Sequence, residues 1–105
     1  MITVVHCRDP HDFYIGRPGL LGNPYTHIQD RKTRAEFVVA TLDEAIARWT
    51  DYAWQRMQID KVFRDAILAC DGKTVGCWCK PHHACHGDTF DGLIQRWRQQ
   101  SLFLG

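Results

Sequence analysis

The sequence predicts an α/β sandwich in which a small, partly parallel sheet is flanked by helices. Three observations carry this expectation. Short extended runs stand at Ile2–Cys7 and Thr74–Cys79. Between and after them, apolar residues recur at helical spacing. Strands interspersed with helices in this way close around a shared sheet whose faces the helices cover. With 105 residues, 45% of them hydrophobic and four of them tryptophan, the chain suits one domain, 1–105, with a core of its own.

Ile2 to Cys7 reads as a first, buried strand. Asp9-Pro10-His11-Asp12 has turn chemistry, and Phe13 to Gly16 is a second extended piece. Arg17 to Tyr25, RPGLLGNPY, is rich in Pro, Gly and Asn, so it reads as a shaped loop without regular structure. After the basic stretch Arg31–Arg34, the run Glu36–Ala40 fits a strand or a helix start, and Val38 and Val39 favour the strand. Thr41-Leu42-Asp43-Glu44 is a capping box, in which the Thr41 hydroxyl accepts from a backbone N–H three residues on and Glu44 reaches back to the Thr41 amide. Ala45, Ile46, Trp49, Ala53 and Trp54 then mark the apolar face of a helix over 42–57. Asp60 caps a shorter helix through Val62, Phe63, Ile67 and Leu68, which Asp71-Gly72 ends. Thr74–Cys79 is the next strand and Lys80–Ala84 a proline-containing loop. A last helix over Gly87–Gln99 turns Phe90, Leu93, Ile94 and Trp97 inward. The expected order is β-β-(β)-α-α-β-α.

A formal net charge of +1 argues against affinity built on neutralising many phosphates, so nucleic acid is the lesser partner class. The N-terminal MITVVHCRD lacks the apolar core of a signal peptide. No stretch approaches the ~20 apolar residues that cross a membrane. Five cysteines, an odd number, fit a disulfide framework poorly. The expected compartment is the cytoplasm, where thiols stay reduced.

The segment GCWCKPHHACHGD, Gly76 to Asp88, holds three of the five cysteines and three of the six histidines. Thiols and imidazoles bind metals, act as nucleophiles and titrate near neutral pH. Strand alternation puts Cys77 and Cys79 on one face and Trp78 on the other, and the loop returns Cys85 and His86 to the strand's carboxyl end. One consequence is a zinc site of Cys77, Cys79, Cys85 and His86, with His82 or His83 able to replace a member. Two thiols so close along a strand converge on one ion only if the strand end curls. The other consequence is an anion site at the helix start. There Gly87 admits a ligand to the backbone, Cys85 is a candidate nucleophile, His86 a proton shuttle, and Asp88 a base or simply the helix cap. Core packing competes with both. It is the expectation for Cys7, Cys70 and Trp78, and it contends with ligation at Cys77. His82 and His83 read as solvated loop residues unless metal is present.

Tyr14-Ile15-Gly16-Arg17 and Gly22-Asn23-Pro24-Tyr25 read as a second half-site. Arg17 offers a planar fork for phosphate or carboxylate, and Asn23 a donor–acceptor pair for a base or ribose edge. The alternative is a structural loop, with Arg17 pairing an acidic neighbour and Asn23 making its own turn. Neither the Walker loop nor GxGxxG is present.

Taken together, YIGRP…LGNPY and CWCKP…CHGD resemble a family of domains of unknown function (4326) from bacterial and bacteriophage genomes, over roughly Val4 to Trp97. Tyr14, Gly16, Arg17, Gly22, Asn23 and Pro24 match its first motif; Cys77, Trp78, Cys79, Pro81, Cys85, His86, Gly87 and Asp88 match its second. The His82-His83-Ala84 spacer departs from the pattern. The resemblance implies a small Rossmann-like fold and a site, and leaves the reaction open. The Cys85-His86 corner is also similar to Rossmann-like domains that handle nucleotides.

Three functions follow as expectations. The first is binding of a nucleotide-derived, phosphate-containing small molecule. Its pocket lies between the loop residues Tyr14, Gly16, Arg17, Gly22 and Asn23 and the helix start Cys85–Asp88, at strand carboxyl ends. In the phage setting that the resemblance implies, this means sequestering a host signalling nucleotide, with a homo-oligomer completing the pocket. The second is an enzyme acting on nucleotide or nucleotide-sugar glycosidic bonds through Cys85 or Asp88. The third is a zinc-supported module that binds nucleic acid or protein through Arg31, Lys32, Arg34, Arg96 and Arg98, beside Trp49, Trp54 and Trp97. Those tryptophans fall at helical spacing, which also suits the core. The tail Leu102-Phe103-Leu104 offers a self-association surface or packs back on its own domain.

Overall fold

The two short extended runs, one at the start of the chain and one after its second helix, pair with each other. The computed structural model describes residues 1–28 and 37–104, without the side chains of 103 and 104. Its elements are β1 (Thr3–His6), β2 (Phe13–Tyr14), β3 (Tyr25–Thr26), β4 (Phe37–Val38), α1 (Leu42–Ile59), α2 (Lys61–Ala69), β5 (Thr74–Cys77), a 3-10 turn (His86–Thr89) and α3 (Phe90–Leu104). The architecture is mixed α/β, and its strands form two small sheets where one was expected.

The larger sheet has the order β1-β5-β2, with β5 parallel to both neighbours. Thr3 lies opposite Thr74 and His6 opposite Cys77, while Tyr14 lies opposite Gly76. β5 is therefore central, and Val75, Gly76 and Cys77 are buried. β1 is an edge strand, so Val4 and Val5 are half-buried rather than buried as expected. The smaller sheet joins β3 to β4, also in parallel. It confirms the strand at Phe37–Val38 and adds one at Tyr25, where the sequence suggested loop alone.

β5 ends at Cys77, two residues before the expected Cys79. The reason lies in its neighbours. β1 stops at His6 and β2 at Tyr14, so beyond Cys77 no strand accepts the ladder.

The helices follow local signals closely. Glu44 donates its backbone N–H to the Thr41 hydroxyl at 3.0 Å, as expected, but its carboxylate reaches the Ala40 amide, at 3.2 Å, instead of that of Thr41. α1 buries Ala45, Trp49, Ala53 and Met57. It runs to Ile59 because Asp60 closes it and opens the next helix. The Asp60 amide donates to the Arg56 carbonyl at 2.8 Å, and its carboxylate accepts from the Phe63 amide at 3.1 Å. Gly72 takes φ +73°, the left-handed turn that releases the chain from α2. α3 begins three residues later than expected, after the 3-10 turn, and buries Phe90, Leu93 and Ile94.

Trp49 is the hub of the core. Phe63 and Phe90 lie 5.9 and 5.8 Å from it between ring centroids, and all three side chains are fully buried. Each such side chain contributes about 1.5–3 kcal/mol through burial. The half-buried Trp54 and Trp97 lie under Arg96 and Arg64, at 4.0 and 4.8 Å. Arg98 pairs with Asp71 at 2.8 Å. Of the basic surface expected for nucleic acid, Arg31, Lys32 and Arg34 lie outside the described residues, as do Glu36 and the side chains of Phe103 and Leu104. Leu102 is exposed. Among the described residues, no helix is long and apolar enough to cross a membrane.

Candidate functional site

Where β5 runs out of partners, its end curls and the side chains stop alternating. Trp78, expected in the core, turns outward and is 60% exposed. Its Nε1–H donates to the Tyr14 hydroxyl at 3.0 Å, which in turn donates to the Arg17 carbonyl at 2.8 Å. The edge of His6 meets it at 5.3 Å.

The same curl brings three cysteines together. The sulfurs of Cys77, Cys79 and Cys85 all lie within 4.8 Å of one another, and those of Cys77 and Cys85 are 2.8 Å apart. All five cysteines of the chain are free. The trio is a group that could hold a metal ion. Sulfur–hydrogen bonds within it share its charge unequally. Donation from Cys79 and Cys85 holds the Cys77 thiol far below the ordinary range, and the same hydrogen bonds to Cys77 push Cys79 and Cys85 above it. Cys70, by contrast, is a core thiol pushed up to about 11 by burial. Cys7 is half-buried rather than core.

A capping box fixes Cys85. Its sulfur accepts from the Gly87 amide at 3.4 Å, and its own amide donates to the Asp88 carboxylate at 3.0 Å. Lys80 Nζ reaches the same carboxylate oxygen at 3.0 Å, which raises the Lys80 pKa. Cys85 is thus the cap and Asp88 its returning partner, where Asp88 was the expected cap. The carboxylate and the sulfur occupy the amides that an anion was expected to find. Gly87 is buried for packing: a Cβ there would stand 2.6 Å from Ile15 Cδ1 and 3.3 Å from Val4 Cγ2.

His86 is buried under Trp49, 4.7 Å between ring centroids. Its Nε2–H donates to the carbonyls of Ile15 and Leu21, at 2.9 and 2.8 Å. That leaves the Nδ1 lone pair toward the Cys85 sulfur, 3.5 Å away. Burial holds the imidazole below its ordinary pKa of 6.5. The ring stands outside the group of three sulfurs. It braces the helix start against the glycine-rich loop.

That loop is built around Arg17 and Asn23. Arg17 Nη1 donates to the Asn23 carbonyl at 3.0 Å and to that of Tyr25 at 3.3 Å, so its partners among the described residues are carbonyls and not the acidic neighbour expected. Asn23 is buried, and both ends of its amide are engaged. Nδ2 donates to the Ala45 carbonyl at 3.1 Å, and Oδ1 accepts from the Tyr25 amide at 2.9 Å. It makes its own turn and ties the loop to α1. A Cβ on Gly22 would meet Arg17 Cα at 3.0 Å, and one on Gly16 would meet the Tyr14 ring.

Between this loop, the start of α1 and the thiol turn lies a cavity of about 430 Å³. Gly16, Arg17 and Asn23 reach it from the first motif, and Cys77, Cys79 and His86 from the second. Of the other residues expected at a ligand, Tyr14, Gly22, Cys85, Gly87 and Asp88 do not line it, nor does His82; His83 does. Sequence reasoning missed Thr26, His27, Ile28, Leu42 and Trp78 as wall residues, while Tyr25 stood within the expected half-site. A polar Thr26 beside a predicted loop was the one available signal, and it is weak. Among the described lining residues there is no carboxylate, and Arg17 supplies the fixed positive charge.

No curated protein and no solved structure matches the chain. Residues 4–96, which carry both walls of the cavity, match a family model, and the chain belongs to that family, the Domain of unknown function (DUF4326).

Proposed function

We propose that the cavity binds an anionic, nucleotide-derived small molecule, with Arg17 taking its phosphate. The observation that carries this reading is a half-buried guanidinium facing a space without described carboxylates. The volume of about 430 Å³ falls in the range of small-molecule sites, roughly 300–1,000 Å³. Tyr25 and Trp78 supply aromatic surface for a base, and Asn23 shapes the wall instead of reading the base edge. Cys85 and Asp88 do not line the cavity, which favours binding over turnover through either. To the thiol trio we assign zinc, on Cys77, Cys79 and Cys85. Free thiols this close together suit the reducing cytoplasm, the compartment we assign to the chain.

Calorimetric titration with AMP, ADP, adenosine and inorganic phosphate tests the reading. The nucleotides bind, adenosine binds much more weakly, and Arg17→Met weakens nucleotide binding at least about tenfold, the worth of a charge-assisted hydrogen bond. Circular dichroism checks that the variant is folded. Equal affinity for adenosine and AMP, or no binding by any phosphate compound, overturns it.

A further inference from the structure

We infer that the thiol trio is an open coordination site: the protein gives the metal three sulfurs, and the fourth position faces the cavity, where an anionic group of the ligand fills it. This rests on the zinc assignment above. A tetrahedral ion with Zn–S bonds of about 2.3 Å sets its sulfurs roughly 3.8 Å apart. The three sulfurs lie within 4.8 Å of one another, and the trio meets that requirement once the Cys77–Cys85 pair, 2.8 Å apart, opens by about 1 Å.

The protein donors stop at three. His86 Nδ1 is the near candidate, 3.5 Å from the Cys85 sulfur, yet it lies outside the mutual group. Its Nε2–H is held by the Ile15 and Leu21 carbonyls, which fixes the ring where Nδ1 meets the Cys85 sulfur but does not join the group formed by all three sulfurs. The Asp88 carboxylate is engaged by Lys80 and by the Cys85 amide. Cys77 and Cys79 line the cavity while Cys85 stands behind them, so the unfilled side of the trio is the cavity side. Closed zinc sites use four protein donors; sites with three keep a position for an exchangeable ligand. Arg17 lines the same cavity and holds the remaining charge of an anion that reaches the metal.

Cobalt substitution reads the site directly, because sulfur-to-cobalt charge-transfer bands count thiolates and the visible bands report the fourth donor. The protein takes up one cobalt with thiolate bands, and Cys79→Ser loses them. Adding inorganic phosphate, AMP or imidazole shifts the visible bands. His82→Ala, at an exposed position outside the cavity wall, retains both the metal and the shift. Cobalt bound with visible bands unmoved by all three probes overturns the open position and leaves the zinc assignment standing. Loss of the metal in His82→Ala gives the fourth position to the protein and overturns it likewise. Failure to take up cobalt or zinc overturns both.

Discussion

His86 joins two parts of the chain with one imidazole: its Nε2–H serves carbonyls 71 and 65 residues away in sequence. His86→Ala removes the ring from beneath Trp49 and leaves both carbonyls without that donor, at a cost of about 3 kcal/mol in urea unfolding. The same residue gives stability a pH dependence. Its pKa is lower folded than unfolded, so below about pH 6.5 the unfolded chain binds the proton first. The contribution of neutral His86 is complete above that pH. It declines as pH falls, until the folded ring also protonates. Urea midpoints across pH 5–8 show this slope in the parent chain and a flatter one in His86→Gln; identical slopes would refute the assignment. At this scale the sequence singled out positions whose contacts it did not foresee. Spacing placed His86 beside Cys85, but nothing local shows that distant carbonyls claim its ring. Asn23 was legible as a polar loop residue, while its bond to Ala45 depends on where α1 docks.

Elements were the most legible level, because their signals are local. The capping box at Thr41, the Asp60 cap and the apolar faces of the helices need only neighbours a turn or two away. The strand that ends early shows the limit. Alternation through Cys79 holds only while a ladder continues, and the ladder depends on partners far away in sequence. The curl that gathers the thiols and exposes Trp78 is a consequence of that shortage. Gly72 offers a clean test of local backbone energetics. A Cβ there would touch nothing within 4 Å, so Gly72→Ala meets only the cost of φ +73°. It destabilises by about 1 kcal/mol, and Gly72→Asn by less, since Asn tolerates this region better. Thermal melts of both variants measure the difference.

At the level of the molecule, the start of the 3-10 turn sits tightly on the residue that follows β2. A Cβ on Gly87 would lie 2.6 Å from Ile15 Cδ1, so Gly87→Ala overpacks the contact and costs about 1–3 kcal/mol. Ile15→Val removes the colliding methyl. The double variant regains part of the loss, and a double-mutant cycle shows coupling of at least about 0.5 kcal/mol. Strict additivity would mean that the two do not meet. The mixed α/β class was readable from the order of elements; the division into two sheets was not, because pairing depends on register across long loops. The central place of β5 also governs how the protein is made. Its β1 and β2 neighbours leave the ribosome long before it does, and each then presents unpaired backbone to solvent. Thr3 meets Thr74 only after most of the chain has been synthesised, so sheet, thiol cluster and cavity arise together, late. Closing so long a loop makes folding slow for a chain of this size, and a nascent fragment ending before Thr74 is the species most prone to aggregate.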